Sequence, residues 1–89
     1  MKSKKIQQII LSEYPDYAED ILLADGFDEA FLGIIQGAGQ EPKACYDRDK
    51  CIEILMKEGS SEEDAVEHFE YNIINSYVGL YSPVFLFSW

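Results

Sequence analysis

The stretch DRDKCIEILMKEGSSEEDAVEHFEYN, residues 47–72, decides the fold, because it reads as two helices separated by a glycine stop. Asp47 has the short acceptor side chain that caps a helix N-terminus. Cys51, Ile52, Leu55 and Met56 then follow at the spacing of one inward stripe, through about residue 58. Gly59 ends that helix, since glycine enters the left-handed region after a C-terminus without a Cβ penalty. For the next helix, Ser60 and Glu63 have capping-box spacing, or Ser61 caps it with Glu62, Glu63 and Asp64 in its first turn. Val66, Phe69, Ile73 and Tyr77 run along its apolar face, and Gly79 is its stop.

Toward the N-terminus, Ser3 is placed to cap a helix through Tyr14, with Ile6, Ile9, Ile10 and Leu11 on its buried side and Pro15 ending it. Pro15 or Asp16 then opens a short second helix. Tyr17, Ile21 and Leu22 or Leu23 form its apolar side, Glu19 and Asp20 face water, and Asp25-Gly26 stops it. AFLGIIQ, residues 30–36, is short, rich in isoleucine and interrupted by Gly33, which reads as a buried strand. The loop GAGQEP returns the chain into a second strand at residues 43–46, making a hairpin. PVFLF, residues 83–87, is a third strand that rejoins the sheet. The expectation is an α+β fold in which a small antiparallel sheet of about three strands is covered on one face by three to four helices, in the order ααββααβ. With 89 residues there is room for one core, so residues 1–89 form a single domain.

Composition narrows the function classes. Hydrophobic residues make up 47% of the chain, and six tyrosines, five phenylalanines and a tryptophan supply large buried area, so the chain folds despite its charge. Seventeen acids face seven bases for a net charge of −10, and three of those bases, Lys2, Lys4 and Lys5, sit together at the start. The remainder repels nucleic acid and anionic membrane, and its charge favours a basic protein or a cation. No apolar run approaches the roughly 20 residues of a membrane span, and no signal-peptide core is present, so a cytoplasmic location is expected. Cys45 and Cys51 read as reduced packing residues. The GAG of the loop lacks the Lys-Ser/Thr and the third glycine of phosphate-binding motifs.

The acidic segment 60–72 admits three readings. Asp64 and His68 are four apart on a helix, and Glu67 is close enough to act as a base, but one histidine gives neither HExxH nor paired ExxH motifs, and metal and catalytic residues are expected to be none. A solvated face is the ordinary explanation of Glu63, Glu67 and Glu70. Against it, like charges four apart oppose a helix, and residues 58–89 contain no Lys or Arg to intersperse. The third reading is a negative surface for a basic partner. Duplex DNA carries one charge per about 1.7 Å, and carboxylates on successive helical turns present a comparable line to a groove lined with Lys and Arg. Asp16, Glu19, Asp20, Asp25, Asp28 and Glu29 form a second acidic segment. Tyr14, Tyr17, Tyr71, Tyr81 and Trp89 are candidate aromatic anchors.

The landmarks DGFDEAFLG, YDRDKCIEILM, EEDAVEHFEYN, YVG and SPVF, set within residues 24–34 and 46–85, which make up over half of the chain, resemble a family of short acidic proteins encoded by bacteriophages and some bacteria. The resemblance carries no catalytic set or cofactor. It implies a context in which small acidic phage proteins bind host proteins, inhibitors of restriction or CRISPR nucleases among them. The expected function is therefore a non-enzymatic binder, without cofactor, of a basic host protein such as a nucleic-acid-binding defence nuclease, acting in the host cytoplasm. The expected contact residues are Glu62, Glu63, Glu67, Glu70, Asp16, Glu19, Asp20 and Tyr71. The alternatives are a small interaction domain whose apolar end VFLFSW forms a homodimer or docks on a partner, and a metal-dependent enzyme.

Overall fold

The structure, a computed structural model, describes residues 2–73 and 79–88. Helix α1 (Lys2–Glu13) leads into a 3-10 turn (Pro15–Tyr17), and a second 3-10 turn (Asp28–Ala30) feeds strand β1 (Phe31–Ile35). Strand β2 (Lys43–Asp47) passes directly into α2 (Arg48–Lys57), which is followed by α3 (Glu62–His68), a π-helical turn (Phe69–Ile73) and strand β3 (Val84–Leu86). The α+β architecture has three helices and three strands, with the expected hairpin in place.

The caps act as the sequence predicts. The Asp47 carboxylate accepts the Asp49 backbone N–H at 3.0 Å, and Ser61 Oγ accepts the Asp64 N–H at 3.2 Å. Gly59 takes a φ of 112°, in the region an L side chain resists. Cys51, Ile52 and Leu55 are buried, whereas Met56 is exposed, because the stripe of α2 that meets the sheet and α3 is narrower than the periodic set. The same holds in α1, where Ile6 and Ile10 are buried but Ile9 and Leu11 are exposed. That helix packs mainly on the two 3-10 turns, and one i, i+4 row suffices for such a contact. Ser3 lies within α1, one residue after its start, so it is not the cap expected of it. Tyr77 and Trp89 lie outside the described residues.

Two expectations need correction. The short second helix is absent: after the Pro15–Tyr17 turn the chain is irregular to Ala24. The Ile21 N–H still reaches the Tyr17 carbonyl four residues back at 3.0 Å, but beyond it the amides of Leu22 and Ala24 find tertiary acceptors. The Leu22 N–H donates to the Tyr81 carbonyl at 3.1 Å, and the Ala24 N–H donates to Tyr46 Oη at 2.9 Å. A turn from Ala24 to Phe27 follows, with Gly26 at φ 87°. The sheet is also mixed rather than antiparallel. Its order is β1-β2-β3, with β1 antiparallel and β3 parallel to β2. Two helices separate β2 from β3, so no tight turn dictates direction, and parallel pairing requires such a crossover. The parallel register sets Phe85 beside Tyr46 on the inner face, where it meets Phe69 edge-on with ring centroids 5.0 Å apart.

The inner face of the sheet, Phe31, Ile34, Ala44, Tyr46 and Phe85, closes on the core built by Ile6, Ile10, Phe27, Cys51, Ile52, Leu55 and Phe69. Tyr46 is its centre, fully buried and edge-on to Phe31 at 5.6 Å. Among the described residues all helices therefore lie to one side, and none covers the opposite face of the sheet.

Candidate interaction surface

The first turn of α3 carries Glu62, Glu63 and Asp64, followed by Glu67 one turn later, and all four are exposed. The Ser61 cap and the positive end of the short helix explain why the first three are tolerated. Glu62, Glu63, Asp64 and Glu67 make no ion pair among the described residues, whereas Arg48 pairs with Asp49 at 3.2 Å and with Glu70 at 3.9 Å, and Lys50 pairs with Glu53 at 3.5 Å. Glu70 and Tyr71 continue the surface on the π-helical turn, and Tyr71 is 69% exposed. The structure thus places Glu62, Glu63, Glu67, Glu70 and Tyr71 along one element pair.

Asp16, Glu19 and Asp20 are exposed as well, but they belong to the turn region packed on α1 rather than to α3. That region includes an acid the sequence reading did not select. Tyr81 Oη donates to Glu41 Oε2 at 3.4 Å, and the Tyr81 ring lies 6.0 Å from that of Tyr17. Loss of solvent pushes the Tyr81 hydroxyl above its ordinary pKa, and the carboxylates of Glu41 and Asp20 push it further. Glu41 sits in the hairpin loop, with no periodicity to mark it, so only the return of the chain to Tyr81 brings it to Asp20. Tyr14 and Tyr17 are half-buried against the core and serve packing before contact.

At residue 68 the Asn72 side-chain amide donates to His68 Nδ1, 3.2 Å away, so the imidazole is used as an acceptor within its own helix. Among the described residues no group of three His, Cys, Asp or Glu side chains converges to hold a metal ion. Cys51 is buried, and loss of solvent pushes its thiol up to about 12, with the Asp47 carboxylate adding to the effect. Cys45 is shifted upward for the same two reasons. Thiols held in the neutral form are poor nucleophiles.

On the side of the sheet away from the helices lies an apolar surface that the strand pattern only partly announces. The segment read as a buried strand is half open: Leu32 is 53% and Ile35 48% exposed, and Leu86 on β3 is 51% exposed. Alternation along the strands puts Gly33, Ile35, Cys45, Val84 and Leu86 on the outer face, and a bulge between Phe31 and Gly33 turns Leu32 out beside them. Together they line a shallow groove of about 440 Å³. Covering three half-exposed side chains recovers about half of the 1.5–3 kcal/mol of each full burial, roughly 2–5 kcal/mol in all. Association itself costs at least about 4 kcal/mol, so this face needs charge or hydrogen bonds beside it to hold a partner. Arg48, paired with Glu70, lays its guanidinium over the Phe87 ring at 5.3 Å, directly after Leu86.

Among the described residues no helix is long and apolar enough to cross a membrane. Comparison of the chain with family models, with curated proteins and with solved structures finds no match.

Proposed function

We propose that this chain is a non-enzymatic, acidic phage-type binding protein that occupies a basic surface of a host protein, of the kind by which a defence nuclease holds nucleic acid. The observation that carries this reading is the set Glu62, Glu63, Asp64 and Glu67, exposed on one short helix and without an ion pair among the described residues. A fold that needs these carboxylates only for solubility has no use for concentrating them without lysines between. Glu70 and Tyr71 extend the same surface, and Asp16, Glu19 and Asp20 form a second patch. Carboxylates spaced along a helix compete with phosphates for Lys and Arg, so such a protein inhibits its target by occupying the nucleic-acid channel.

The test is capture from host lysate by the protein and by a Glu63→Lys/Glu67→Lys/Glu70→Lys variant, at low and high salt, followed by competition with duplex DNA for the captured protein. Capture of a nucleic-acid-binding protein, lost in the variant, weakened by salt and displaced by DNA, is the expected result. Equal capture by parent and variant refutes it.

The open apolar face favours a second reading, an interaction domain that docks or dimerises through β1 and β3. A chain of net charge −10 opposes its own copies, which places self-association behind binding of a basic partner.

A further inference from the structure

Three segments far apart in the chain meet at Tyr81. Its hydroxyl donates to Glu41 Oε2 at 3.4 Å, its carbonyl accepts the Leu22 N–H at 3.1 Å, and its ring lies 6.0 Å from that of Tyr17, tilted by 43°. Asp20 stands close enough for its charge to act on the same hydroxyl. The two rings are half-buried, and beside them Leu22 is 43% and Leu80 68% exposed. An aromatic and apolar centre with carboxylates at its edge is the make-up of an interface hot spot. The charge of this surface is of one sign. Residues 6–42 and 58–89 hold no Lys or Arg, so every segment that meets at Tyr81 comes from a stretch without a cation. Asp16, Glu19, Asp20 and Glu41 make no ion pair among the described residues. The nearest cation along the chain is Lys43, which stands opposite Ile35 in the hairpin while Glu41 turns to Tyr81.

Chemistry selects the occupant. A tyrosine face attracts a cation, and donation of its hydroxyl to a carboxylate enriches the ring and strengthens that pull. A flat guanidinium lies on such a face and still forks to two carboxylates, which a lysine ammonium, as a point charge, does less well. A metal ion is not served, since among the described residues no group of three His, Cys, Asp or Glu side chains converges. A second copy has no free arginine to offer: Arg48 is the only one in the chain, and Asp49, Glu70 and the Phe87 ring hold it. We propose that the Tyr17 and Tyr81 pair, with Asp20 and Glu41 at its edge, seats an arginine side chain of the basic partner, while Leu22 and Leu80 take the apolar residues next to that arginine. The inference rests on the reading of the chain as a binder of a basic protein, and it names the side chain that the second acidic patch receives.

The probe is a short leucine–arginine peptide, compared with the same peptide carrying lysine and with one carrying citrulline, which keeps the shape of arginine without its charge. Binding is followed by backbone amide shifts. The arginine peptide is expected to move the amides of Asp20, Leu22, Leu80 and Tyr81, to bind more tightly than the lysine peptide, and to lose its hold on change to citrulline or at high salt. Asp20→Asn/Glu41→Gln is expected to weaken it about tenfold. Glutamine keeps an acceptor for the Tyr81 hydroxyl, so that variant keeps the fold, and Leu80→Ser, at an exposed position, gives an independent check. Equal binding of the citrulline or lysine peptide, or of parent and variants, overturns the proposal. Shifts confined to α3 and abolished in Glu63→Lys/Glu67→Lys/Glu70→Lys overturn the seat while leaving the acidic-surface reading in place. Shifts at Tyr81 in a chain that captures no basic protein from host lysate keep the seat and overturn that reading. A chain that sediments alone as a dimer, and becomes monomeric on Leu80→Ser substitution, overturns the proposal by showing a second copy on the surface.

Discussion

Replacing Tyr46 by phenylalanine removes one oxygen from the centre of the core and tests what holds the irregular segment after the Pro15–Tyr17 turn. Tyr46 and Ala24 are both fully buried, and the Tyr46 hydroxyl accepts the Ala24 N–H at 2.9 Å. Phenylalanine keeps the ring, and with it the contacts to Phe31 at 5.6 Å and Phe85 at 6.0 Å between centroids. The change therefore isolates a hydrogen bond from packing. A buried donor left without its acceptor costs about 1–3 kcal/mol. Against a total stability of about 5–13 kcal/mol for a domain of this size, that is a large fraction. It corresponds to a fall in Tm of roughly 4–24 °C. Urea unfolding gives the free energy, and the m-value is expected to stay constant because the buried area is unchanged. Amide exchange supplies the local readout, with Ala24 losing protection ahead of the α2 core. A variant within about 0.5 kcal/mol of the parent, with Ala24 still protected, would refute the claim that this bond replaces the missing helix.

Three further outcomes follow from the caps and the buried thiols. Ser61→Ala removes the acceptor for the Asp64 N–H and is expected to cost about 1 kcal/mol, while Ser61→Asp retains the cap; paired urea curves decide it. Gly59→Ala forces a side chain to a φ of 112° and is expected to cost about 1–2 kcal/mol by the same measurement, although open space surrounds the site. Cys51 keeps its proton in the folded state up to about pH 12, whereas the unfolded thiol releases it near 9.0. Its contribution is thus fully present below pH 9 and declines from there to about 12, by at most about 1.4 kcal/mol per pH unit. Urea midpoints between pH 8 and about 10.5, compared with those of Cys51→Ala, test this as the difference in slope between the two proteins.

The candidate surface divides along the same line as the fold. Exposure of Glu62, Glu63, Glu67 and Glu70 was legible, because acids that follow a Ser cap and oppose Val66 and Phe69 have only the solvent side of the helix left. The meeting of Glu41 with Asp20 at Tyr81 was not, because it joins the hairpin loop to residues far away in the chain. The open apolar face was half legible. Residues 83–87 announced an apolar strand, while FLGII of β1 looked buried on both sides because its apolar run carries no polar alternation to mark an exposed face.

Sequence alone determined the elements whose signals act within about four residues: the Asp47 and Ser61 caps, the Gly59 stop, the inward row of Cys51, Ile52 and Leu55, and the hairpin. Tertiary structure decided the rest. It set the direction of β3, because a strand reached through two helices takes whichever pairing buries Phe85 against Tyr46 and Phe69. It dissolved the expected second helix, because Tyr46 and the returning Tyr81 carbonyl offered acceptors that local backbone would otherwise have supplied. Local hydrogen bonds and periodicity are short-ranged, whereas strand direction and the fate of a marginal helix depend on partners brought close only by folding.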